Sequence, residues 1–365
     1  MKILSLNMGL LKYFGIILLL SVVVFSCEPG INKNKEVKKK TEQLTNPIQQ
    51  DKNDLLFGIS KAVCYSGFRS GQHPDRGEGA INPSYEEILE DLTILSKEAD
   101  FHLIRIYDSG ENSELVLKVI RENNIDIKVM LGIWLRAELS NHESCEWLTE
   151  PIPDSKLKEN KKLNLAEIEK GIQLANEYSN IVVAVNVGNE ALVDWNDHKV
   201  DTDTIISYVK KVKNAIAQPV TVAENYEWWA ANGKNLAAEC DFIALHIYPV
   251  WEGKDIGEAM AYSIENIQKV RDSIPESIIV ISEAGWASEA SEFGERASEE
   301  KQLQYYNEFR AWSEEMNITT FFFEAFDEDW KGDPDNPLGA EKHWGLYTVD
   351  RKPKKVMQKF YQKQD

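Results

Sequence analysis

Two apolar runs of this chain end in the same way. Residues 277–286 read SIIVISEAGW, and residues 181–190 read IVVAVNVGNE, so each run leads to an acid, Glu283 or Glu190. An unbroken apolar run suits a strand covered on both faces, as in a parallel sheet flanked by helices. Ligand sites in such folds lie at the carboxyl ends of the strands. The pattern therefore predicts two acids at one site, although either acid alone is also compatible with a polar loop or a helix cap.

The same apolar pattern recurs along the chain, with amphipathic stretches between the runs. The eight strand candidates are residues 57–65, 102–108, 126–134, 181–190, 219–225, 241–248, 277–283 and 318–326. Ser84 and Glu87 form a capping-box pattern, after which Ile88, Leu92 and Leu95 fall on one helical face. Eight strands, each followed by a helix, predict a single α/β domain with the (β/α)8 TIM barrel fold. A doubly wound sheet is the competing architecture, but no GxGxxG motif follows any strand.

The N-terminal part of the chain differs from this alternation. An apolar segment at residues 13–25 follows two lysines and is followed closely by Cys27. The segment resembles a bacterial lipoprotein signal, so residues 1–26 are predicted to be the signal peptide and Cys27 the lipidated residue. An uncleaved anchor and an ordinary secretory signal are the alternatives.

A polar stretch separates this signal from the barrel. Residues 27–54 begin with the predicted lipidated cysteine and are otherwise rich in Lys, Asn, Gln and Glu, a composition that predicts a flexible tether. The catalytic domain is then predicted to span residues 55–365. We expect the protein to lie in the bacterial cell envelope, lipid-anchored on the outer membrane and facing either the periplasm or the cell surface.

Composition and charge narrow the choice of partner. The chain has 365 residues, of which 43% are hydrophobic, enough for one large core, and we expect a monomer. Its net charge of -19 argues against nucleic acid or an anionic membrane as a natural partner and disfavours anionic polysaccharides, which suggests a neutral substrate. Ten tryptophans and thirteen tyrosines provide aromatic faces on which sugar rings can stack, although most will pack inside the protein.

Cysteine and histidine usage argues against disulfide scaffolds and metal sites. After Cys27 only Cys64, Cys145 and Cys240 remain, so at most one disulfide can form. The histidines show neither HExxH nor any paired ligand spacing. We therefore expect no catalytic metal and no cofactor.

The two acids at strand ends match the needs of glycoside hydrolysis. In a barrel, the fourth and seventh strands bring Glu190 and Glu283 towards each other across the mouth. One carboxyl group must be protonated to give a proton to the leaving oxygen, while the other attacks the sugar or activates water. The distance between them decides retention or inversion of configuration, and the sequence leaves that distance open.

Eight segments, in order along the whole domain, carry a family resemblance. They are AVCYSG at 62–67, RIYDS at 105–109, VMLGIW at 129–134, VNVGNE at 185–190, IYPV at 247–250, ISEAGW at 281–286, FDEDWK at 326–331 and WGLY at 344–347. The chain resembles glycoside hydrolase family 17, barrel enzymes that include β-1,3-glucanases and β-1,3-glucan transglycosylases. The resemblance implies a retaining hydrolase of β-1,3-glucosidic bonds in laminarin-like β-glucan polysaccharide or oligosaccharide.

The resemblance also implies roles for individual residues. Glu190 matches the general acid/base and Glu283 the nucleophile, while Asn189 is expected to bind the sugar 2-hydroxyl and Tyr248 to hold Glu283. Further positions expected to bind substrate are Tyr65, Tyr107, Glu328, Lys331, Trp134 and Trp286. Asn189 as a turn residue, Tyr248 as a strand end and Glu328 with Lys331 as a solvated ion pair are the structural alternatives.

Three further expectations concern charged and aromatic residues near strand ends. Arg105 and Asp108 are expected to form a buried structural pair, and Glu324 either lines the cleft or pairs with Arg105. At least two tryptophans near strand ends are expected to be sugar platforms. The candidates are Trp134, Trp228, Trp229, Trp251, Trp286, Trp330 and Trp344.

Two segments are longer than minimal barrel loops and leave the detailed activity open. Residues 66–84 and 137–162 follow the first and third strands, and such loops shape the cleft. They can convert endo action to exo action or shield an intermediate from water. Three hypotheses therefore stand, namely a β-1,3-glucan hydrolase, a transglycosylase using the same glutamates, and a surface glycan-binding lipoprotein without turnover. Mixed-linkage and β-1,6-branched glucans are alternative substrates.

Overall fold

A closed barrel of eight parallel strands forms the centre of the protein. The computed structural model describes residues 46–75 and 79–361, so the predicted signal peptide and Cys27 lie outside the described residues. The strands are β1 Lys61–Cys64, β2 Leu103–Arg105, β3 Lys128–Ile133, β4 Val182–Asn189, β5 Val220–Asn225, β6 Ile243–Ile247, β7 Ile279–Ala284 and β8 Thr320–Phe322. Each strand pairs with its sequence neighbours, and β8 closes the barrel on β1. The TIM barrel predicted from the sequence is confirmed.

Helices alternate with these strands. They are α1 Tyr85–Thr93, α2 Glu111–Asn123, α3 Asp154–Glu177, α4 Thr202–Lys213, α5 Tyr226–Asn232, α6 Lys234–Ala237, α7 Ile256–Ser273, α8 Glu299–Met316 and α9 Lys355–Tyr361. The capping box predicted before α1 is present, since the Glu87 amide donates to Ser84 Oγ and the Ser84 amide donates to Glu87 Oε2. In the described part of the chain, no helix is both long and apolar enough to cross a membrane.

The strand ends differ from their predicted positions for local reasons. The first strand was predicted from residue 57, but Leu56–Gly58 forms a 3-10 turn in which Phe57 and Gly58 have φ angles of 53° and 74°. A positive φ breaks the extended conformation, so β1 begins only at Lys61. The long segment predicted at residues 137–162 is also shorter, because α3 begins at Asp154.

The folded domain begins before the predicted boundary at residue 55. Ile48 and Gln50 are buried against the barrel, although both fall within the predicted tether. The Gln50 side chain donates to the Ile279 carbonyl (3.0 Å) and accepts from the Ile279 amide (2.6 Å), so it pairs with the start of β7 as a neighbouring strand would. The polar composition of residues 27–54 gave no sign of this contact, because the attachment depends on only two residues, the buried amide of Gln50 and Ile48.

The loop after β1 is fixed by a buried ion-pair cluster. Asp91 of α1 is fully buried and accepts from Arg351 (2.7 Å) and from Arg69 (2.9 Å). Arg351 also donates to the carbonyl of Gly67 (2.8 Å). A buried carboxylate is tolerated only when such partners satisfy it. The cluster therefore ties the β1 loop and the C-terminal segment to α1.

We predict that Gln50→Ala lowers the free energy of unfolding by about 2 kcal/mol, because it leaves the amide and carbonyl of Ile279 buried without partners. Urea unfolding of the full chain measures the change. Gln49→Ala is the matched control, since its side chain makes an exposed hydrogen bond, and its effect should stay within about 0.5 kcal/mol. Equal effects of the two substitutions would contradict the buried attachment.

Candidate active site

Two glutamates meet at the carboxyl end of the barrel. Glu190 directly follows β4, and Glu283 lies in β7. His246 of β6 stands between them, with Nδ1 2.9 Å from Glu190 Oε1 and 3.5 Å from Glu283 Oε2. The distance between these two oxygens cannot exceed the sum of the two, about 6.4 Å. The two acids from the similar apolar runs therefore face one site, as predicted.

Arg105 is the centre of the hydrogen bonds beneath this pair. Its side chain is fully buried, and Nη1 donates to Glu283 Oε1 (2.7 Å) and to the Ser282 carbonyl (3.0 Å). Nη2 donates to Asn189 Oδ1, and Nη1 also approaches His246 Nε2 at 3.2 Å. Burial opposes its charge, but neighbouring anionic and phenolic groups outweigh that effect and raise the pKa of Arg105. One guanidinium thus fixes groups from β4, β6 and β7.

The partners of His246 determine which of its nitrogens carries the proton. Arginine can only donate hydrogen bonds, so Nε2 of His246 must accept from Arg105. Nδ1 then carries a proton, which it donates to Glu190 Oε1. Arg105 therefore sets the tautomer with which His246 holds Glu190.

Two tyrosines hold the other face of Glu283. Tyr107 donates to Oε1 (3.0 Å) and Tyr248 donates to Oε2 (2.6 Å). Burial, followed by the charge of Glu283, raises the pKa of Tyr248 well above its ordinary value, so its hydroxyl remains a donor. The Tyr248 ring packs edge-on against Trp344, with centroids 5.1 Å apart. Both carboxylate oxygens are thus restrained by donors on rigid elements.

The turn after β4 sets the direction of Glu190. Gly188 has a φ of 85°, and an added Cβ there would come within 3.1 Å of Leu135. Glu190 itself has a φ of 48°, a conformation that costs energy in residues other than glycine. Asn196 donates to both the carbonyl (3.1 Å) and the carboxylate (3.3 Å) of Glu190. The VGNE motif therefore combines a tight turn with an acid held by its own loop.

Burial and hydrogen bonding act in opposite directions on Glu190. Burial raises its pKa, but the hydrogen bonds from His246 and Asn196, together with the electrostatic attraction of His246 and His198, outweigh burial, so the pKa lies below its ordinary value. Without substrate, this carboxyl group is therefore ionised at neutral pH. A ligand that excludes water from the site would favour its protonated form, because desolvation penalises the charge.

Glu224 of β5 is a second acid near Glu190 that the sequence did not reveal. It is fully buried, and its Oε1 accepts from the amide of Leu192 (2.8 Å), two residues after Glu190. Burial, followed by the charge of Glu190, raises its pKa well above the ordinary value. Burial thus favours the neutral form of Glu224, whose carboxyl group supports the turn after β4.

A buried lysine joins two more acids beside the site. Lys331 lies 2.6 Å from Glu324 Oε2 and 2.7 Å from Glu328 Oε2, and all three side chains are largely buried. Burial opposes ionisation of Glu328, but Lys331 outweighs it and lowers the pKa. Burial and the charge of Glu328 raise the pKa of Glu324. The solvated ion pair considered for Glu328 and Lys331 is therefore wrong.

Glu341 is a further acid in the surroundings of the paired glutamates that sequence reasoning missed. It lies in the 3-10 turn Ala340–Lys342, and its Cβ is close to Gly332. Burial raises its pKa, Lys331 lowers it, and Glu283 and Glu190 raise it further, which places the carboxyl group in the field of the paired glutamates. Its position just before the WGLY segment was the available signal.

Two residues predicted to bind substrate lie elsewhere. Tyr65 is only 1% exposed, and its hydroxyl donates to Asp91 (3.2 Å) in α1. Trp286 has no exposed surface, donates to the Arg296 carbonyl (2.9 Å) and packs against Tyr305. Both predictions are wrong, because a strand-end position does not specify whether a ring turns inwards or towards the surrounding helices.

The tryptophans predicted to be sugar platforms fall into two groups, buried and partly exposed. Trp229 and Trp344 are buried in the core like Trp286, whereas Trp134, Trp228, Trp251 and Trp330 keep exposed surface. The ring of Trp134 lies 4.7 Å from that of His198, whose Nε2 donates to the Asn189 carbonyl (2.8 Å). Trp134 is thus placed beside the β4 end of the site.

Two charged-pair predictions are also corrected. Arg105 pairs with Glu283 and not with Asp108, which instead accepts from Ser113 Oγ (2.6 Å). Glu324 pairs with Lys331, so the predicted pairing with Arg105 is wrong. Sequence adjacency favoured these assignments, whereas the barrel brings distant strands together.

Among the described residues, no three His, Cys, Asp or Glu side chains form an arrangement suited to a metal ion.

The separation of the paired glutamates has a chemical meaning. Retaining glycosidases place their two carboxyl groups about 5–5.5 Å apart, whereas inverting enzymes leave about 6.5–9.5 Å for a water molecule. The two oxygens that face His246 lie no more than about 6.4 Å apart, so the pair is close enough for the retaining arrangement. The geometry therefore suits direct attack by one carboxylate and proton transfer by the other.

Comparison with known proteins identifies similar chains. The model of the BtgE/BtgC glycoside hydrolase domain matches residues 62–345. A glucan 1,3-beta-glucosidase of Arthroderma benhamiae is 25% identical over 319 residues, covering 82% of this chain and 94% of the relative. A putative glucan endo-1,3-beta-glucosidase btgC of Aspergillus niger is 25% identical over 293 residues. The match covers 74% of this chain but only 39% of that relative.

Solved structures show the same barrel. The endo-laminarinase from Formosa Hel1_33_131 superposes with a TM-score of 0.73 at 27% identity, covering 86% of this chain and 89% of that chain. A beta-1,3-glucanosyltransferase from Rhizomucor miehei gives a TM-score of 0.62 at 22% identity over 84% of this chain and 97% of its own, which shows the shared fold.

We predict that His246→Ala raises the pKa of Glu190, because burial then acts without the strongest hydrogen bond that opposes it. Asn196→Ala should shift the pKa in the same direction, since it removes a second donor. In His246→Asn, the side-chain amide can replace the Nδ1 donor, so the pKa should stay closer to that of the native protein. Isotope-edited infrared titration of the glutamate carboxyl groups measures these values. An unchanged or lowered pKa in His246→Ala would contradict the assignment.

Proposed function

The chain belongs to the BtgE/BtgC glycoside hydrolase domain family, and on this basis we propose that it cleaves β-1,3-glucosidic bonds of β-glucan with retention of configuration. It is a glycosidase, and its sugar-transferring step leads to hydrolysis or transglycosylation. The relatives named glucan 1,3-beta-glucosidase and endo-laminarinase support β-1,3-linked glucan as the substrate class. Laminarin-like polysaccharide and its oligosaccharides are the proposed substrates.

One observation carries this proposal. Glu190 Oε1 and Glu283 Oε2 lie within about 6.4 Å of each other around His246, while Glu283 is held by donors on both of its oxygens. Such an arrangement supports a fixed nucleophile next to a proton donor. A pure glycan-binding protein has no need of either feature, so the non-catalytic alternative is disfavoured.

The first chemical step forms a covalent intermediate. A carboxylate oxygen of Glu283 attacks the anomeric carbon, the bond from that carbon to the glycosidic oxygen breaks, and Glu190 gives its proton to the departing oxygen. Bound glucan displaces water from Glu190, which favours the protonated form that this step requires. Asn189, oriented by Arg105, is placed to bind the 2-hydroxyl of the reacting sugar.

The second step releases the sugar from Glu283. Glu190, now ionised, removes a proton from water or from a sugar hydroxyl, and that oxygen attacks the anomeric carbon as the ester to Glu283 breaks. Water gives hydrolysis, and a sugar acceptor gives transglycosylation. Both outcomes use the same two glutamates, so they differ only in which nucleophile occupies the site.

We also propose that Cys27 carries a lipid that anchors the protein, as a monomer, in a bacterial cell envelope. The apolar segment at residues 13–25 and the position of Cys27 directly after it support this anchor. The net charge of -19 makes binding to anionic lipids through the protein surface unfavourable, which favours attachment through a covalent lipid chain.

The proposed activity predicts defined products from β-1,3-linked laminari-oligosaccharides. We expect shorter sugars whose newly formed reducing ends have the β configuration in the first minutes, measured by proton NMR. Longer sugars in addition would identify transglycosylation. Glu283→Gln and Glu190→Gln should each lower kcat/KM by roughly 10^4-fold or more, because each removes a group essential to the first step.

Glu289→Gln is the matched control, since this exposed acid lies in the loop that follows β7. It should leave activity unchanged, and thermal unfolding should show that all three variants are folded. No turnover of laminari-oligosaccharides, α-configured first products, or full activity in either catalytic variant would contradict the proposed function.

The lipid anchor predicts that Cys27→Ser abolishes lipid attachment. The full chain is expressed in a bacterial host with radiolabelled palmitate and then partitioned between detergent and aqueous phases. The native protein should be labelled and enter the detergent phase, whereas Cys27→Ser should be unlabelled and stay in the aqueous phase. Cys240→Ser is the control, because it removes a thiol within the barrel domain, and it should remain labelled. Labelling of Cys27→Ser equal to that of the native protein would rule out this anchor.

A further inference from the structure

The most exposed tryptophans of the described chain lie on loops at the carboxyl end of the barrel. Trp147 is 78% exposed and follows β3, Trp195 is 45% exposed and follows β4, and Trp251 is 44% exposed and follows β6. Exposed aromatic rings gathered at one end of a protein are suited to a ligand-binding surface. These three rings share the end of the barrel that holds the paired glutamates.

The two loops that carry Trp147 and Trp195 are joined to each other. The Asn141 side chain donates to the carbonyls of Asp194 (2.7 Å) and Asn196 (2.8 Å). The Cys145 thiol donates to the carbonyl of Trp195 itself (3.1 Å). All three carbonyls around Trp195 are therefore fixed by the neighbouring loop. We call this joined pair of loops, residues 135–153 and 191–201 with Trp147 and Trp195, the tryptophan ridge.

The tryptophan ridge is also attached to the acid Glu190. Asn196, the residue after Trp195, donates to the Glu190 carbonyl and to its carboxylate. His198, from the same loop, donates to the Asn189 carbonyl (2.8 Å). A short, hydrogen-bonded path thus connects the exposed Trp195 to the acid that transfers the proton. Such preorganisation reduces the entropy that a bound ligand must lose.

We propose that the tryptophan ridge binds the glucose units on the leaving-group side of the scissile bond and, after cleavage, the incoming acceptor sugar. This inference rests on the proposed function. Tryptophan faces are suited to neutral sugar rings because they bury the apolar C–H face of the ring. The ridge carries seven acids against one arginine and one lysine, which disfavours an anionic ligand.

The position of the ridge relative to the two glutamates selects this side. Glu190 acts on the leaving oxygen and later on the acceptor hydroxyl, so the leaving and acceptor sugars must lie on its side of the site. The ridge adjoins Glu190, whereas Trp251 packs with Phe293 and Trp344 next to Tyr248, which holds Glu283. The ridge therefore borders the leaving group, and the Trp251 cluster borders the sugar that becomes attached to Glu283.

This placement gives the ridge control over the fate of the intermediate. An acceptor sugar stacked on Trp195 or Trp147 holds its hydroxyl near Glu190 and competes with water for the glycosyl group. The number of glucose units bound on the tryptophan ridge also determines the length of the leaving group. The long segment after β3, noted in the sequence, thus gains a defined role as one half of a sugar-binding surface.

The inference is tested by comparing two substrates with the full-length protein. Laminarihexaose needs sugars bound on the leaving-group side, whereas 2,4-dinitrophenyl β-laminaribioside has a leaving group that needs neither those contacts nor a proton. We predict that Trp195→Ala and Trp147→Ala lower kcat/KM for laminarihexaose by roughly tenfold. Release of dinitrophenolate should remain within about twofold of the native rate.

The conservative and control variants complete the test. Trp195→Phe keeps an aromatic face and should recover most of the activity on laminarihexaose. Phe57→Leu removes an exposed aromatic ring before β1, at the opposite end of the barrel, and should affect neither substrate.

Each remaining outcome has a distinct meaning. Equal losses on both substrates in Trp195→Ala would overturn the inference, because the ridge would then bind the sugar attached to Glu283. Native activity of both alanine variants on both substrates would overturn it as well. Inactivity of the native protein on both substrates would instead contradict the proposed function.

Discussion

The buried guanidinium of Arg105 is the interaction on which the site depends. A charge inside the barrel is tolerated only if its neighbours compensate for lost water, and Arg105 has Glu283, the Ser282 carbonyl and Asn189 as partners. Because these groups come from β4 and β7, their geometry is set as the barrel closes. By donating to His246, Arg105 also determines how Glu190 is held. The same buried charge therefore positions both proposed catalytic groups.

The acids around this centre differ in charge because their partners differ. Burial next to another carboxylate favours the neutral forms of Glu224 and Glu324, whereas Lys331 favours the ionised form of Glu328. Glu190 is kept ionised by His246 and Asn196 until bound sugar removes water. A site containing many acids thus limits its negative charge, and Glu283 can act as the nucleophile while Glu190 changes its protonation state.

Much of this arrangement could be predicted from sequence. The apolar runs predicted all eight strands, and their shared ending brought Glu190 and Glu283 to one end of the barrel. Sequence order could not show that Arg105 reaches Glu283 instead of Asp108, because strand pairing across a closed barrel is a long-range property. It also could not distinguish Tyr65 and Trp286, which turn into the packing, from Tyr107, which turns towards the site. The attachment of Gln50 to β7 could not be predicted either, since one buried amide does not change the polar composition of the segment around it.

The central claim is that Glu283 becomes covalently attached to the sugar. A laminaribioside with fluorine at the 2-position of its reacting sugar and dinitrophenolate as leaving group should form this intermediate quickly and release it slowly. Peptide mass spectrometry of the inactivated protein then locates the added disaccharide. The account predicts the added mass on the peptide that contains Glu283, with restored activity after incubation with laminaribiose. Attachment to a different carboxylate, or rapid turnover with an inverted product and no adduct, would contradict it.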